Sequence, residues 1–407
     1  MTKAASRTSA GLLASLWGFA FLSYVLRTNI AVAQQYMARE LALDDIQIGY
    51  VFSAFLIGYT IFQVPAGVLG DRFGPRIVLT VSALSWAATT LLTGIVPGLL
   101  LNGTAVVLSS LVVLRFLHGL GQAATYPVAM TAVADWFQPS QHAFINAIIF
   151  TGSTLGSAFA PPVVAHIMNA LGWRATFYWT ALLPLVLAAL WWRQTRHLCH
   201  KTEAAGAINR TGDWWLLARE KNVFCLCLSY FLYCYAISIF VYWLFKYLVD
   251  VRHLSIVNSG WATSLPWVAA TIAVPSTGYL SGRLSERIGR LKARRLVAAV
   301  CLVLAALLMF VGAGARSIAI AVTGISLSVG LMFSTESSYW STAIDLAPED
   351  AGASGGLMNL AGNLGGVVST LLVPVLVQSF GWYVALLSGS AFALLATLTW
   401  FLVAARK

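Results

Sequence analysis

The chain has 407 residues, of which 59% are hydrophobic and 10% charged, and its mean hydropathy is +0.80. A soluble domain carries about 25% charged residues. Too little polar surface is available to cover a water-exposed fold, which excludes ordinary soluble enzymes, nucleic-acid modules and disordered chains. The formal net charge of +11 points either to nucleic acid or to cytoplasmic loops, and the placement of the charges decides.

Apolar stretches near 20 residues recur along the chain, long enough as helices to cross a hydrocarbon core of roughly 30 Å. Span 1 (11–33) carries Arg27. Span 2 (46–69) carries Tyr59 and Gln63, four apart and hence on one face, and span 3 follows at 76–95. Span 4 (105–133) holds Arg115, His118, Gln122 and Tyr126, and span 5 (142–168) holds Ser153. Span 6 (174–193) ends the first half. A polar stretch, 194–221, leads to span 7 (222–248), span 8 (255–281) and span 9 (296–314). Span 10 (317–343) carries Glu336 and Trp340, span 11 (352–379) carries Asn359 and Asn363, and span 12 (382–404) closes the chain. The expectation is an all-α integral membrane protein of twelve transmembrane helices in two pseudo-symmetric six-helix bundles, 1–193 and 222–407, joined by a cytoplasmic linker, 194–221. The polar start, Met1 to Ala10, lacks a small-residue cleavage site, so no removable signal peptide is expected.

With the N-terminus placed inside, 18 Lys and Arg residues fall on the cytoplasmic side and 5 outside (Arg39, Arg174, Lys246, Arg252, Arg316). Arg27 and Arg115 lie within spans. That bias predicts both termini in the cytoplasm, and nucleic acid is not needed to explain the charge. Five cysteines (Cys199, Cys225, Cys227, Cys234, Cys301) show no metal spacing, and the odd count argues against a disulfide framework.

The halves repeat one another. Gly67, Asp71, Arg72 and Gly74 after span 2 are matched after span 8, at a constant offset, by Gly282, Glu286, Arg287 and Gly289, with Arg290 next. Pro139, Gly156, Gly172 and Trp173 are matched by Pro348, Gly365, Gly381 and Trp382. Duplicated halves mark repeat-built transporters. With these motifs the chain resembles the major facilitator superfamily, whose signature loop between spans 2 and 3 is similar to Gly67–Arg76, although Pro75 interrupts the usual basic pair. The resemblance implies a gate at both copies of the motif, with Gly67 allowing close helix approach, Asp71 meeting the positive end of a neighbouring helix and Arg72 pairing across the cytoplasmic seam. Loop packing and topology alone are the plainer alternative.

Further stretches resemble the anion:cation symporter family, which includes bacterial sugar-acid transporters: Tyr24–Val32, Gly49–Phe55 through Tyr59 and Gln63, Leu114–Gly119 through Tyr126 and Pro127, and Asn359 with Gly365 and Gly366. Charge within a bilayer is costly, by about 2.5–3.5 kcal/mol, and usually functional. Only Arg27, Arg115 and Glu336 sit well inside spans. Guanidinium stays protonated and can grip a carboxylate through two parallel hydrogen bonds, so two arginines on one cavity favour an organic anion. Snorkelling, or pairing with a backbone carbonyl, is the alternative. The resemblance implies anion binding by Arg27 and substrate contact by Tyr59, Trp340 and Asn359. Gln63, Asn363, Tyr126 and Ser153 are further cavity candidates.

Proton-coupled members carry an acid just before the span 1 arginine and another on span 4. Here those positions are Leu26 and Gln122, and neither titrates. His118 and Glu336 are the candidates to replace them, since imidazole titrates near neutral pH and Glu336 is the sole carboxylate within a span. Glu336 could instead pair with an arginine to hold one conformation, and His118 could be a packed neutral histidine. Gly352-Ala-Ser354-Gly-Gly356 matches a hydrolase nucleophile pattern in letters only, because it opens a span and not a strand-to-helix turn. No catalytic set and no cofactor site is read. The expectation is a non-enzymatic secondary transporter, a monomer in a bacterial inner membrane, moving a small organic anion with a proton as co-substrate. Facilitated exchange and drug export by the same fold are the alternatives.

Overall fold

The computed structural model describes residues 3–138, 141–198, 214–347 and 351–403. Cys199, the matched Pro139 and Pro348, and most of the 194–221 linker lie outside the described residues. Among the described residues the secondary structure is helical, apart from one isolated bridge between Pro97 and Leu101.

Helix α1 (Lys3–Glu40) is longer than span 1, because nothing between Lys3 and Gly11 breaks a helix. Helix α2 (Asp45–Ile95) opens with a reciprocal cap: the Asp44 side chain accepts from the Gln47 N–H at 2.8 Å, and the Gln47 side chain accepts from the Asp44 N–H at 3.0 Å. Next come α3 (Thr104–Ala123), α4 (Thr125–Trp136), α5 (His142–Leu171) and α6 (Trp173–Gln194). A short α7 (Trp214–Arg219) precedes α8 (Lys221–Asp250), α9 (Ile256–Ile288), α10 (Arg290–Gly314), α11 (Ile318–Ser334), α12 (Glu336–Leu346) and α13 (Ala351–Phe401).

Among the described residues, nine helical segments are long and apolar enough to cross a membrane. Two of them, Asp45–Ile95 and Ala353–Phe401, are 51 and 49 residues long and hold two crossings each. Helix α9 is 33 residues long but less apolar. Together these agree with twelve crossings.

The joints fall on the repeat. Gly74 (φ 80°, ψ 155°) interrupts α2, and Gly289 (φ 86°, ψ 153°) separates α9 from α10. Gly172 (φ 84°, ψ 165°) separates α5 from α6, and Gly381 (φ 81°, ψ 171°) interrupts α13. This backbone region is open only to glycine, so one residue turns one crossing into the next where loops were expected. Pro75 then starts a helix, the position proline tolerates best.

The fourth crossing of each half is also broken, at Ala124 and at Thr335. Pro127 explains the first break, since its ring clashes with the carbonyl four residues back. At the second, the Ser334 and Thr335 hydroxyls donate to the Leu331 and Met332 carbonyls at 2.7 and 2.8 Å, competing with the helix ladder.

The chain divides into two compact units, Met1–Ile208 with Ile256–Gly260, and Asn209–Ser255 with Trp261–Lys407. In the first, α1 packs on α5 and α2 packs on α3 and α6; in the second, α8 packs on α13 and α10 packs on α11 and α13. Each unit uses its matched glycine to bring two helices into backbone contact. A Cβ at Gly156 would collide with the Phe21 carbonyl, and one at Gly365 would collide with the Phe231 carbonyl. Ser354 is buried within the α13 helix, where the strand-to-helix turn of a nucleophile elbow has no place. Cys225 and Cys301 are free and buried.

Candidate functional site

In the first unit Arg27 sits among aromatic rings. Its guanidinium carbon lies 4.8 Å from the Tyr24 ring centre, 4.8 Å from Phe55 and 4.7 Å from Tyr59. Arg115, 2% exposed, lies 5.2 Å from the same Phe55 ring, so the two arginines share one aromatic platform. A cation over a ring gains about 0.5–1 kcal/mol at an exposed site and about 2 kcal/mol or more when desolvated. Three rings therefore offset much of the cost of about 2.5–3.5 kcal/mol for a charge at membrane depth. Helix α1 places Tyr24 one turn before Arg27, and α2 places Phe55 and Tyr59 one turn apart.

Beside them lies a closed polar network. His118 and Gln122 are each 1% exposed. The Gln122 Nε2 donates to the Ser23 carbonyl at 2.9 Å and lies 3.1 Å from His118 Nε2. His118 Nδ1 lies 2.7 Å from the Thr89 hydroxyl, which donates to the Ser85 carbonyl at 2.7 Å. Hydrogen-bond logic assigns the protons. The Ser23 carbonyl requires the nitrogen of Gln122 on its side, so His118 Nε2 is an acceptor. The Thr89 proton is already committed to Ser85, so His118 Nδ1 carries the proton and donates. In this arrangement the imidazole is neutral, with both nitrogens engaged; it joins α3 to α2 through Thr89, and Gln122 joins α3 to α1 through Ser23.

Tyr126 stacks on Phe150 at 5.1 Å, and the Ser153 hydroxyl donates to the Phe150 carbonyl at 2.7 Å. Gln63 is half-buried one turn beyond Tyr59.

At the signature motif, Asp71 accepts from the Thr131 hydroxyl of α4 at 3.1 Å. Arg72 lies over Phe73, and Arg76 lies 3.9 Å from the Trp192 ring centre at the end of α6. Trp191 Nε1 donates to the Pro75 carbonyl at 3.4 Å. The close helix approach expected of Gly67 falls one turn later. A Cβ at Gly67 would make an ordinary contact with Pro127, whereas one at Gly70 would come within 2.7 Å of Val128. In the second copy Gly282, Glu286, Arg287, Gly289 and Arg290 are all exposed.

In the second unit Glu336 opens α12. Its Oε1 accepts from the Tyr230 hydroxyl at 2.5 Å and from Trp340 Nε1 at 2.9 Å, and Tyr233 stands beside it. These partners, Tyr233 included, are neutral donors. Tyr230, Tyr233 and Tyr339 pack ring to ring with centres 5.0–5.5 Å apart, and the Tyr339 hydroxyl lies 2.8 Å from the Ser229 hydroxyl. Trp340 is 39% exposed, with its ring against Gly355. Asn363 donates to the Asn359 carbonyl at 3.0 Å, one turn back.

Sequence reasoning named Arg27, Arg115, His118, Gln122 and Glu336 but missed most of what holds them. Phe55, four residues before Tyr59, was legible as a ring on the same face. Thr89, Ser23 and Tyr230 come from other crossings, and no local spacing announces them.

Apolar helices crossing a membrane, with a few charges held by polar and aromatic partners within them, define a membrane transporter. The chain belongs to the Major Facilitator Superfamily, whose profile matches residues 16–370. It is 29% identical to the hexuronate transporter of Bacillus subtilis (strain 168), over 89% of this chain and 86% of that protein. It is 32% identical to a protein of Cupriavidus necator named as a probable sulfoacetate transporter, again over 89% and 86%. The fold is similar to that of a bacterial homologue of the human lysosomal transporter Spinster, with a TM-score of 0.81 at 14% identity over 97% of this chain and 96% of that one.

Proposed function

We propose that this multi-pass membrane protein carries a small organic anion, a sugar acid or other carboxylate, across the membrane by alternating access. The observation that carries this reading is the pair of arginines on the Phe55 ring, Arg27 held among three aromatic faces. The names of the hexuronate and sulfoacetate relatives support an anionic cargo. Tyr59, Gln63, Tyr126, Ser153, Trp340, Asn359 and Asn363 supply hydroxyl, amide and aromatic groups suited to a polyhydroxylated acid. The two copies of the Gly67 and Gly282 motif act as gates. The setting is a bacterial inner membrane, with both termini cytoplasmic.

Proton coupling in this reading runs through Glu336, with His118 as a second candidate. The closed network around His118 favours a second reading as well: with Leu26 and Gln122 at the usual acidic positions, exchange without protons needs only the arginines.

The experiment is a thermal-shift screen of the purified protein against sugar acids, dicarboxylates, sulfonates and cationic drugs. A ligand in excess of its Kd raises the unfolding midpoint by linkage. Stabilisation by an anion, abolished in Arg27→Ala, is the expected result. A response confined to cationic drugs would instead identify an exporter.

A further inference from the structure

The second unit carries an apolar groove between α7, α8 and α13. Phe224 and Cys227 of α8, Leu360, Ala361 and Leu364 of α13 and Ala218 of α7 line a space of about 160 Å³, where one water needs roughly 10–15 Å³. Phe224, Leu360 and Leu364 are 57%, 41% and 48% exposed, and the two alanines are half-buried. The groove is therefore an open trough with small side chains at its floor. Asn359 and Asn363, the cavity candidates on α13, are centred about 100° round the helix from Leu360 and Leu364.

The lining side chains are hydrocarbon, aromatic or thiol. A pocket for a water-soluble molecule adds a few placed polar groups that fix its orientation, and none of the lining residues supplies one. Charge lies at one end instead. Lys221 opens α8, and Phe224 and Cys227 follow about 4.5 and 9 Å along its axis. Arg219 ends α7, next to Ala218. Both cations are exposed. Glu220 between them is half-buried and is the N-cap of α8. The positive end of the helix dipole favours a carboxylate there, so positive charge prevails at the head of the trough.

We propose that the trough seats an acyl chain of an anionic phospholipid, with the lipid phosphate on Arg219 and Lys221. Basic residues at the mouth of a groove between membrane helices suit such headgroups, and the bilayer beside α8 and α13 supplies the chain. A phosphate esterified to hydrocarbon presents its charge and its apolar part in the same order, cations first and dry walls one to two turns on. The bound lipid ties α7, the end of the 194–221 linker, to α8 and α13. The inference does not rest on the cargo or the coupling proposed above, and none of its residues belongs to the anion site.

The test titrates the purified full chain in detergent with dioleoylphosphatidylglycerol and, in parallel, with dioleoylphosphatidylcholine, which has the same chains, and counts bound lipids by native mass spectrometry. Phosphatidylglycerol is expected to bind at least about fivefold more tightly, since each exposed cation favours an anionic lipid by about that factor. In the double variant Arg219→Gln, Lys221→Gln the preference should vanish while both lipids still bind. Ala361→Phe, which fills the trough, should weaken both lipids, and Ala218→Phe fills it from α7 if the first variant fails to fold. Equal binding of the two lipids by the parent chain overturns the assignment in favour of a non-specific lipid shell. A preference that survives the double charge variant overturns it, because the headgroup then lies elsewhere. Binding unchanged in the filling variants overturns it as well, and competition by sodium phosphate in that case identifies a site for a free anion.

Discussion

Gln122 stands where proton-coupled relatives of this kind carry an acid, and its amide does what a carboxylate could not. It donates to the Ser23 carbonyl and to His118 Nε2 through the same nitrogen, and both of those groups are acceptors. Gln122→Glu would set a carboxylate against two acceptors. The conflict is relieved only if a proton joins the site, on the new carboxyl or on His118 Nε2. Leaving it unrelieved costs about 1–3 kcal/mol for each buried group without a partner. The variant should therefore gain a titrating proton that the parent lacks. In proteoliposomes, substrate exchange by Gln122→Glu is expected to become more steeply pH-dependent than that of the parent. Superimposable pH profiles would show that the network does not govern protonation. His118 itself is easy to single out in the sequence, as the one histidine beside an intramembrane arginine. Its state is not, because that depends on Thr89 and Ser23, which lie 29 and 95 residues away.

The four repeat-matched glycines at the joints share one backbone conformation: Gly74 with Gly289, and Gly172 with Gly381. The sequence shows that these positions repeat but not why they must be glycine, since a glycine in a motif serves equally for close packing. Positive φ with extended ψ settles the reason. A Cβ there costs on the order of 1–3 kcal/mol of strain, even though nothing lies within 4 Å of a Cβ at Gly172, Gly289 or Gly381. Alanine at Gly289 or Gly381 should lower the thermal midpoint of the detergent-purified protein. Gly356 is the control, because it is helical, exposed and equally uncrowded, and alanine there should be neutral or stabilising by up to about 1 kcal/mol. Equal effects at all three positions would mean that the joints are not strained. The broken fourth crossings were only half legible. Pro127 announces the first in the sequence, whereas the second arises from hydroxyls at Ser334 and Thr335 that an apolar stretch easily absorbs.

The net charge of +11 comes from 25 basic against 14 acidic residues, and the basic residues expected inside and outside have different surroundings. Of the five basic residues expected outside, three are held by local partners. Arg174 pairs with Glu40 and donates to the Pro97 carbonyl. Lys246 meets Asp250 at 2.8 Å. Arg252 donates to the Tyr247 hydroxyl and to the Gly312, Ala313 and Ala315 carbonyls at the end of α10, where a cation suits the helix dipole. By contrast Arg72, Arg283, Arg287 and Arg290, at the two signature motifs, are exposed. Exposed lysine and arginine in short loops hold a loop in the cytoplasm during insertion, whereas residues consumed by caps and ion pairs serve the folded structure. These exposed charges are the basis for the proposed cytoplasmic signature loops, and twelve crossings would then predict both termini on that same side. A green fluorescent protein fused after Lys407 should fluoresce in bacterial cells, and alkaline phosphatase fused at the same point should be inactive, while phosphatase inserted after Gly98 in the opposite loop should be active. An active phosphatase at the C-terminus would reverse the proposed orientation and, with it, the side assigned to both signature loops.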